Sequence, residues 1–149
     1  MFSDLLRRLA GPENPAPMSD PDARLALAAL LVRIARADDH YDASEKERID
    51  RTLATRYGLD SHAAQNLRAE AETLEADAPD TVRFTKAIKD GVPYEDRIGV
   101  IEAMWDVVLA DGHRDDDENA MMRMIPPMLG VNDRDSNMAR IRVERRRTG

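Results

Sequence analysis

"ARADDHYDASE" (Ala35–Glu45) and "VLADGHRDDDE" (Val108–Glu118) are the two stretches that decide the fold. They lie 73 positions apart and keep Ala-Asp, His, Asp and Glu in register. Each follows an apolar stripe at helical spacing, and the matched stripe residues are Leu25, Ala28, Val32 and Ala35 in the first copy and Ile98, Ile101, Trp105 and Val108 in the second. Each copy therefore predicts a core helix, an acidic connection and a capped second helix.

Local start and stop signals predict seven helices joined by short loops. Ser19 or Asp20 caps the first helix, and Pro21 stands in its first turn, where a missing N–H costs nothing. The "SEKE" stretch, in which Ser44 precedes Glu47, predicts a capping box for the second helix, and Gly58 ends it. The predicted spans are about 21–38, 44–57, 60 or 61 to near "ADAPD" (76–80), 80–91, 94–111, 115–129 and 133–146.

The repeat continues beyond the acidic stretches, because "YGLD" at 57–60 answers "LGVN" at 129–132 after one deletion. Each half is predicted to be a three-helix unit. Two such units, bridged by the fourth helix, predict an all-α bundle with a pseudo-two-fold arrangement. Pro126 and Pro127 interrupt the pattern in the second half, so we expect the sixth helix to be kinked or to end near Met124.

Composition supports one helical domain and excludes several classes of protein. The 149 residues are 42% hydrophobic but only 4% aromatic, which favours helices over strands. The chain has no cysteine, which excludes disulfides, thiol nucleophiles and cysteine-bound metal clusters. The net charge of −7 argues against nucleic-acid binding. The chain has neither a signal-peptide pattern nor an apolar run long enough to span a membrane, so we expect it in the cytoplasm.

The two ends of the chain differ in character from the domain, which we predict to span residues 20–146. Residues 1–19 begin with Phe2, Leu5, Leu6 and Leu9 at helical spacing and continue into a linker with three prolines. This short amphipathic segment could dock on the domain, on a partner or on a membrane surface. Residues 140–149 carry five Arg and one Glu. They are interpreted either as a helix end with favourable cations or as a strip that docks an acidic partner or membrane surface.

The acidic connections allow two interpretations. We define the first acidic connection as residues 38–45 and the second as residues 111–118; their matched carboxylates are Asp38, Asp42 and Glu45, and Asp111, Asp115 and Glu118. In the structural interpretation, the carboxylates cap the helix that follows each turn. In the functional interpretation, they bind a divalent cation, Ca²⁺, Mg²⁺ or Mn²⁺ in preference to Zn²⁺. The spacing differs from that of an EF-hand, and the second connection, with three consecutive aspartates, is the better candidate.

The remaining features point away from catalysis. His40 and His113 occupy equivalent positions and could add a nitrogen ligand, although a turn position favours solvent. The second half is rich in methionine, which indicates either core filling or an adaptable peptide-binding groove, and Trp105 is expected in the core. The chain contains no Ser-His-Asp grouping and no glycine-rich phosphate loop, so we expect neither an enzyme nor a small-molecule substrate.

A helical domain with "ADDHYDASE" and "ADGHRDDDE" at matched helix pairs resembles the TerB-like family, named for tellurite resistance protein B. The resemblance covers about residues 20–140. It implies an all-helical two-repeat fold and a cytoplasmic role in metal- or stress-response complexes, with a protein partner and a location at the inner face of a membrane. It also implies cation ligation by Asp38, Asp42, Glu45, Asp111, Asp115 and Glu118. The alternative is a helical protein-interaction module without a bound metal.

Overall fold

The computed structural model describes residues 19–36, 41–77, 80–109 and 116–148, and within these ranges the chain is all-α and has no strand. Seven helices follow one another in the order predicted. They are α1 (Asp20–Ala35), α2 (Ala43–Tyr57), α3 (Ser61–Asp77), α4 (Thr81–Gly91), α5 (Tyr94–Leu109), α6 (Asp116–Met128) and α7 (Asp133–Thr148). None of the helices in the described ranges is long and apolar enough to cross a membrane.

The core is built around α1 and α5, the two helices that carry the matched apolar stripes. From Leu25 to Val32 every residue of α1 is buried, and α5 is nearly as apolar around its circumference, with Trp105 only 8% exposed. A helix that is apolar on all sides belongs at the centre of a bundle. Accordingly, α1 packs mainly against α3, α5 packs mainly against α7, and α1 and α5 contact each other. Trp105 is a core residue, as predicted.

Glycines in the left-handed conformation end α2 and α6 in the same way. Gly58 has φ 64° and Gly130 has φ 72°, values that favour glycine. After each glycine, the next N–H bonds back to the last turn, from Leu59 to the carbonyl of Ala54 and from Val131 to that of Pro126, each at 3.0 Å. These bonds satisfy helix-end carbonyls that otherwise lack a partner.

Equivalent side chains then cap α3 and α7. The Asp60 carboxylate accepts the Ala63 N–H at 2.7 Å, and the Asn132 side-chain oxygen accepts the Asp135 N–H at 2.8 Å. Asp60 and Asn132 each stand two residues after a left-handed glycine. The match between "YGLD" and "LGVN" therefore corresponds to the same local turn in both halves.

Helix α4 contacts α1 from the first half and α5 and α6 from the second. Its apolar residues Phe84 and Ile88 are buried in the core. The Arg33 guanidinium lies 5.1 Å from the centre of the Phe84 ring, which joins α1 to α4. The fourth helix thus packs on helices from both halves of the chain.

Three predictions about helix ends need correction. The capping box at Ser44 and Glu47 is wrong, since Asp42 is the N-cap of α2. Of the two outcomes predicted for the sixth helix, an end near Met124 is wrong, because α6 includes both prolines in its last turn, whereas a kink stays a prediction. There, the missing N–H groups of the prolines remove only two bonds of the helix. The carbonyl of Pro126 is satisfied, because it accepts from the N–H groups of Leu129 and Val131. Helix α7 also extends to Thr148, beyond the predicted end at 146.

Candidate functional site

Asp42 of the first acidic connection caps α2. Its side chain accepts the Glu45 N–H at 3.1 Å and the Ser44 hydroxyl at 2.8 Å. These bonds, the Glu45 N–H foremost, hold the pKa of Asp42 below its ordinary value, because they stabilise the ionised form. Asp42 therefore has a structural role that needs no cation, as the structural interpretation predicts.

Glu45 of the same connection lies in the interior and faces a cation from its own helix. The residue is only 5% exposed, and Arg48 is 9% exposed. The Arg48 guanidinium approaches the Glu45 carboxylate at 3.6 Å, one helical turn further along α2. The carboxylate predicted as a metal ligand thus has a buried positive charge beside it.

Tyr41 connects this acidic turn to neighbouring helices. The Arg36 guanidinium, just after the end of α1, and the Lys46 ammonium lie 5.1 and 5.2 Å from the ring centre. Burial raises the pKa of the Tyr41 hydroxyl, and the negative charge of Glu72 on α3 raises it further. Tyr41 therefore stays protonated at every physiological pH, and its neutral ring packs against the core.

A charged network on α2 and α3 surrounds the tyrosine. The Arg68 guanidinium donates to Asp50 at 2.6 Å and to Glu72 at 3.2 Å. One turn further along α3, Glu75 accepts from Arg33 at 3.3 Å and from Arg36 at 2.9 Å. The first acidic connection therefore lies among arginines that already form pairs with carboxylates.

The family of the chain is decided by comparison with known proteins. Residues 24–141 match the family described as tellurite resistance protein TerB. The chain belongs to the TerB family. No match was found among curated proteins or among solved structures. The matched range begins within α1, ends within α7 and includes both acidic connections of the TerB domain.

The predicted cation ligands of the TerB domain are only partly described. Asp42 and Glu45 have the contacts given above, whereas Asp38, Asp111 and Asp115 lie outside the described residues. Glu118 belongs to α6, and only its backbone is described. Among the described residues, no group of three or more His, Asp or Glu side chains lies close enough to hold a metal ion. The six-residue ligand set remains a prediction.

The two acidic connections of the TerB domain differ in the cations that accompany them. Three basic residues of the first copy, Arg36, Lys46 and Arg48, contact Tyr41 or Glu45. Their equivalents 73 positions later are uncharged: Leu109, Asn119 and Met121. Within residues 111–118, one arginine is gained relative to the first connection: Arg114, at the position equivalent to Tyr41. The second connection thus combines more carboxylates with fewer accompanying cations.

Sequence reasoning missed the partners of the first connection. Asp50 and Arg68 are 18 positions apart and on different helices, so no local pattern relates them. Arg48 gave a weak signal, because it stands three residues after Glu45, a spacing at which helical side chains meet. Tyr41 lies within the acidic phrase itself but resembles an ordinary turn residue in the sequence.

The basic C-terminal residues continue α7 and pair with α5. Arg142 and Arg146 approach the Glu102 carboxylate at 3.3 and 3.6 Å, and Arg146 also approaches Asp106 at 3.6 Å. This agrees with the interpretation of a helix end rich in cations.

Among the methionines, Met104 and Met122 are buried, whereas Met124 and Met138 are each 44% exposed.

Proposed function

We propose that this TerB domain is a non-enzymatic, cytoplasmic cation-binding accessory or sensor, and that its second acidic connection binds a divalent cation. Asp111, Asp115 and Glu118 would supply the oxygen ligands, which suit Ca²⁺, Mg²⁺ or Mn²⁺ better than Zn²⁺. The first connection, with Asp38, Asp42 and Glu45, would act as a turn that needs no bound cation. Family membership supports the domain type, and the family name suggests a setting in metal or stress response.

Equivalent carboxylates in the two copies have different neighbouring charges, and this difference is the main support for the proposal. In the first copy, Asp42 is committed to the α2 cap and Glu45 lies beside Arg48. In the second copy, Met121 replaces that arginine, so the equivalent Glu118 lacks this counter-charge. Carboxylates gathered without accompanying cations repel one another, and a divalent cation relieves that repulsion.

The transfer of geometry from one connection to the other rests on local features that match between the two halves of the chain. The left-handed glycines Gly58 and Gly130 and the caps at Asp60 and Asn132 match in detail. The dominant pairing of α1 with α3 has its counterpart in α5 with α7. By this relation Asp115 would stand at the start of α6, as Asp42 stands at the start of α2.

Thermal unfolding in the presence of each cation tests the proposal. A cation at a hundredfold excess over its Kd stabilises the folded state by about 2.7 kcal/mol. For a chain of this length, about 1 kcal/mol shifts Tm by roughly 4 °C, so we expect a rise of about 10 °C. The double substitution Asp111→Asn with Asp115→Asn should abolish the rise, whereas Asp42→Asn should retain it.

Two outcomes of these thermal melts would contradict the proposal. If Ca²⁺, Mg²⁺, Mn²⁺ and Zn²⁺ all leave Tm unchanged, the domain is no cation sensor. If Asp42→Asn abolishes the response and the double variant keeps it, the site belongs to the first connection.

A second candidate function is a helical protein-interaction module without metal. Three large apolar side chains of the described residues support it by their exposure: Val82 at 62%, and Met124 and Met138 at 44% each. Flexible, exposed methionines suit an adaptable protein-binding surface. A partner at the inner face of a membrane would be recovered by wild type but not by Met124→Ser with Met138→Ser; equal recovery by both proteins would reject this surface.

A further inference from the structure

A groove lies beside the start of α1, at the point where the described chain begins. We call it the N-terminal groove; it has a volume of about 600 Å³, and α1 and α3 form its walls. Leu25, Leu59 and Leu67 provide its apolar lining. Leu25 belongs to the core, whereas Leu59 and Leu67 are only partly buried and pack against that core. An apolar side chain placed in the groove would therefore cover leucine surface that α1 and α3 leave open.

The rim of the N-terminal groove is acidic. Asp20, Asp22 and Glu70 line it, and Arg24 is the one basic residue that does so. The Arg24 guanidinium lies 4.7 Å from the centre of the Tyr57 ring, on the side of α1 that faces α2. The rim thus favours an occupant that combines apolar side chains with positive charge.

Residues 1–10 of the same chain have this combination. Phe2, Leu5, Leu6 and Leu9 recur at the spacing of one helix face, and Arg7 and Arg8 outnumber the one acidic residue, Asp4. A helix of about ten residues is roughly 15 Å long. Such a short helix is marginal in water unless its apolar face is covered, so it needs a surface to pack on.

The linker length allows the segment to reach the groove. Residues 11–18 contain Pro12, Pro15 and Pro17, and an extended proline-rich linker spans about 3.1 Å per residue, or roughly 25 Å here. The linker joins α1 at its N-cap, Ser19, directly beside the groove residues Asp20 and Pro21. A tether attached beside the groove makes docking of the segment an intramolecular step, which does not depend on protein concentration.

We propose that residues 1–10 dock in the N-terminal groove as a short amphipathic helix. The apolar face of the segment covers Leu25, Leu59 and Leu67, and Arg7 and Arg8 lie toward the acidic rim. The segment is thereby an intramolecular strap that holds α1 against α3, independently of any cation at the second acidic connection.

Thiol alkylation tests the strap, because the chain has no cysteine of its own. Asn66→Cys places a thiol at the groove, and Thr55→Cys places one at an exposed position on α2 away from it. We expect alkylation at position 66 to be about tenfold slower in the full chain than after deletion of residues 2–11, which corresponds to docking favoured by about 1.4 kcal/mol. The rate at position 55 should be the same in both proteins.

Point substitutions and dilution separate the strap from other occupants. Leu5→Asp with Leu9→Asp should raise the rate at position 66 as much as the deletion does, while Asp4→Asn should not raise it. Equal rates at position 66 in the full and shortened chains would overturn the proposal. So would protection that disappears on dilution, which assigns the groove to a second copy. Phosphatidylglycerol vesicles that bind the segment should remove the protection by competition, and protection that persists while the segment is bound to vesicles would also overturn the proposal.

Discussion

Replacement of Glu45 by alanine should destabilise the domain strongly. The Glu45 and Arg48 side chains are 7% and 9% exposed, and their charged atoms are 3.6 Å apart. At an effective dielectric constant near 20, two unit charges at that distance attract by about 4–5 kcal/mol. Removal of one member of a buried pair typically costs about 3–5 kcal/mol, because the other charge stays buried without that partner. We expect a loss of about 3 kcal/mol.

Urea unfolding followed by circular dichroism measures this loss as a lower midpoint with an unchanged slope. Glu47→Ala is the matched control, because Glu47 is exposed on the same helix, and its effect should stay within about 0.5 kcal/mol. The double variant Glu45→Leu with Arg48→Met, which removes both charges and keeps apolar volume, should regain most of the loss.

A loss below about 1 kcal/mol for Glu45→Ala would refute the role assigned to this pair, because that is the range of exposed ion pairs. A double variant as unstable as the single variant would refute it too. In that case the first acidic connection would depend on contacts other than the pairing of these two charges.

Three further outcomes follow from the described contacts. Arg97 donates to the Val92 carbonyl at 3.0 Å and to the Leu129 carbonyl at 2.6 Å, so Arg97→Ala should lower the unfolding free energy by about 2 kcal/mol in urea melts, and a loss under 0.5 kcal/mol would contradict this. A Cβ at Gly99 would lie 1.9 Å from an Arg56 guanidinium nitrogen, so alanine at this position clashes with Arg56. Alanine also favours a helix over glycine by up to about 1 kcal/mol. Gly99→Ala should therefore raise the unfolding free energy in an Arg56→Ala background, and raise it less or lower it when Arg56 is present. Equal effects in the two backgrounds would mean that Arg56 moves aside at no cost. The lowered pKa of Asp42 stabilises the fold above the ordinary aspartate pKa, and this contribution is lost as pH falls through the lowered value. Wild type and Asp42→Asn should accordingly differ in midpoint at neutral pH and converge in acid, whereas a constant difference would exclude the ionised cap.

Helix order and most helix ends could be predicted because their causes are local. Pro21 can stand only in a first turn, and Gly58 and Gly130 adopt a backbone conformation that other residues resist. The apolar stripes of α1 and α5 identify the core, since burial follows from the side chains themselves.

The corrections fall where two local signals compete. Asp42 and Ser44 are both good caps, and the pattern of serine followed three residues later by Glu47 favoured the wrong one. In the structure, Asp42 accepts the Glu45 N–H, and Ser44 donates its hydroxyl to Asp42. Pro126 and Pro127 predicted either a kink in α6 or an early end to it, but both stand in the last turn, so the helix continues past Met124.

By itself, the sequence determined that the chain is helical, that α1 and α5 lie in the core, and that a matched acidic stretch of sequence follows each of them. Only the tertiary structure decided what the first turn's carboxylates do. Glu45 became part of a buried pair because α2 turns it inward beside Arg48, and the pKa of Tyr41 is raised because the fold partly buries its ring and α3 brings Glu72 close to it. Helix formation depends on neighbours a few residues away, whereas the charge environment of a side chain depends on helices that the sequence separates by dozens of positions.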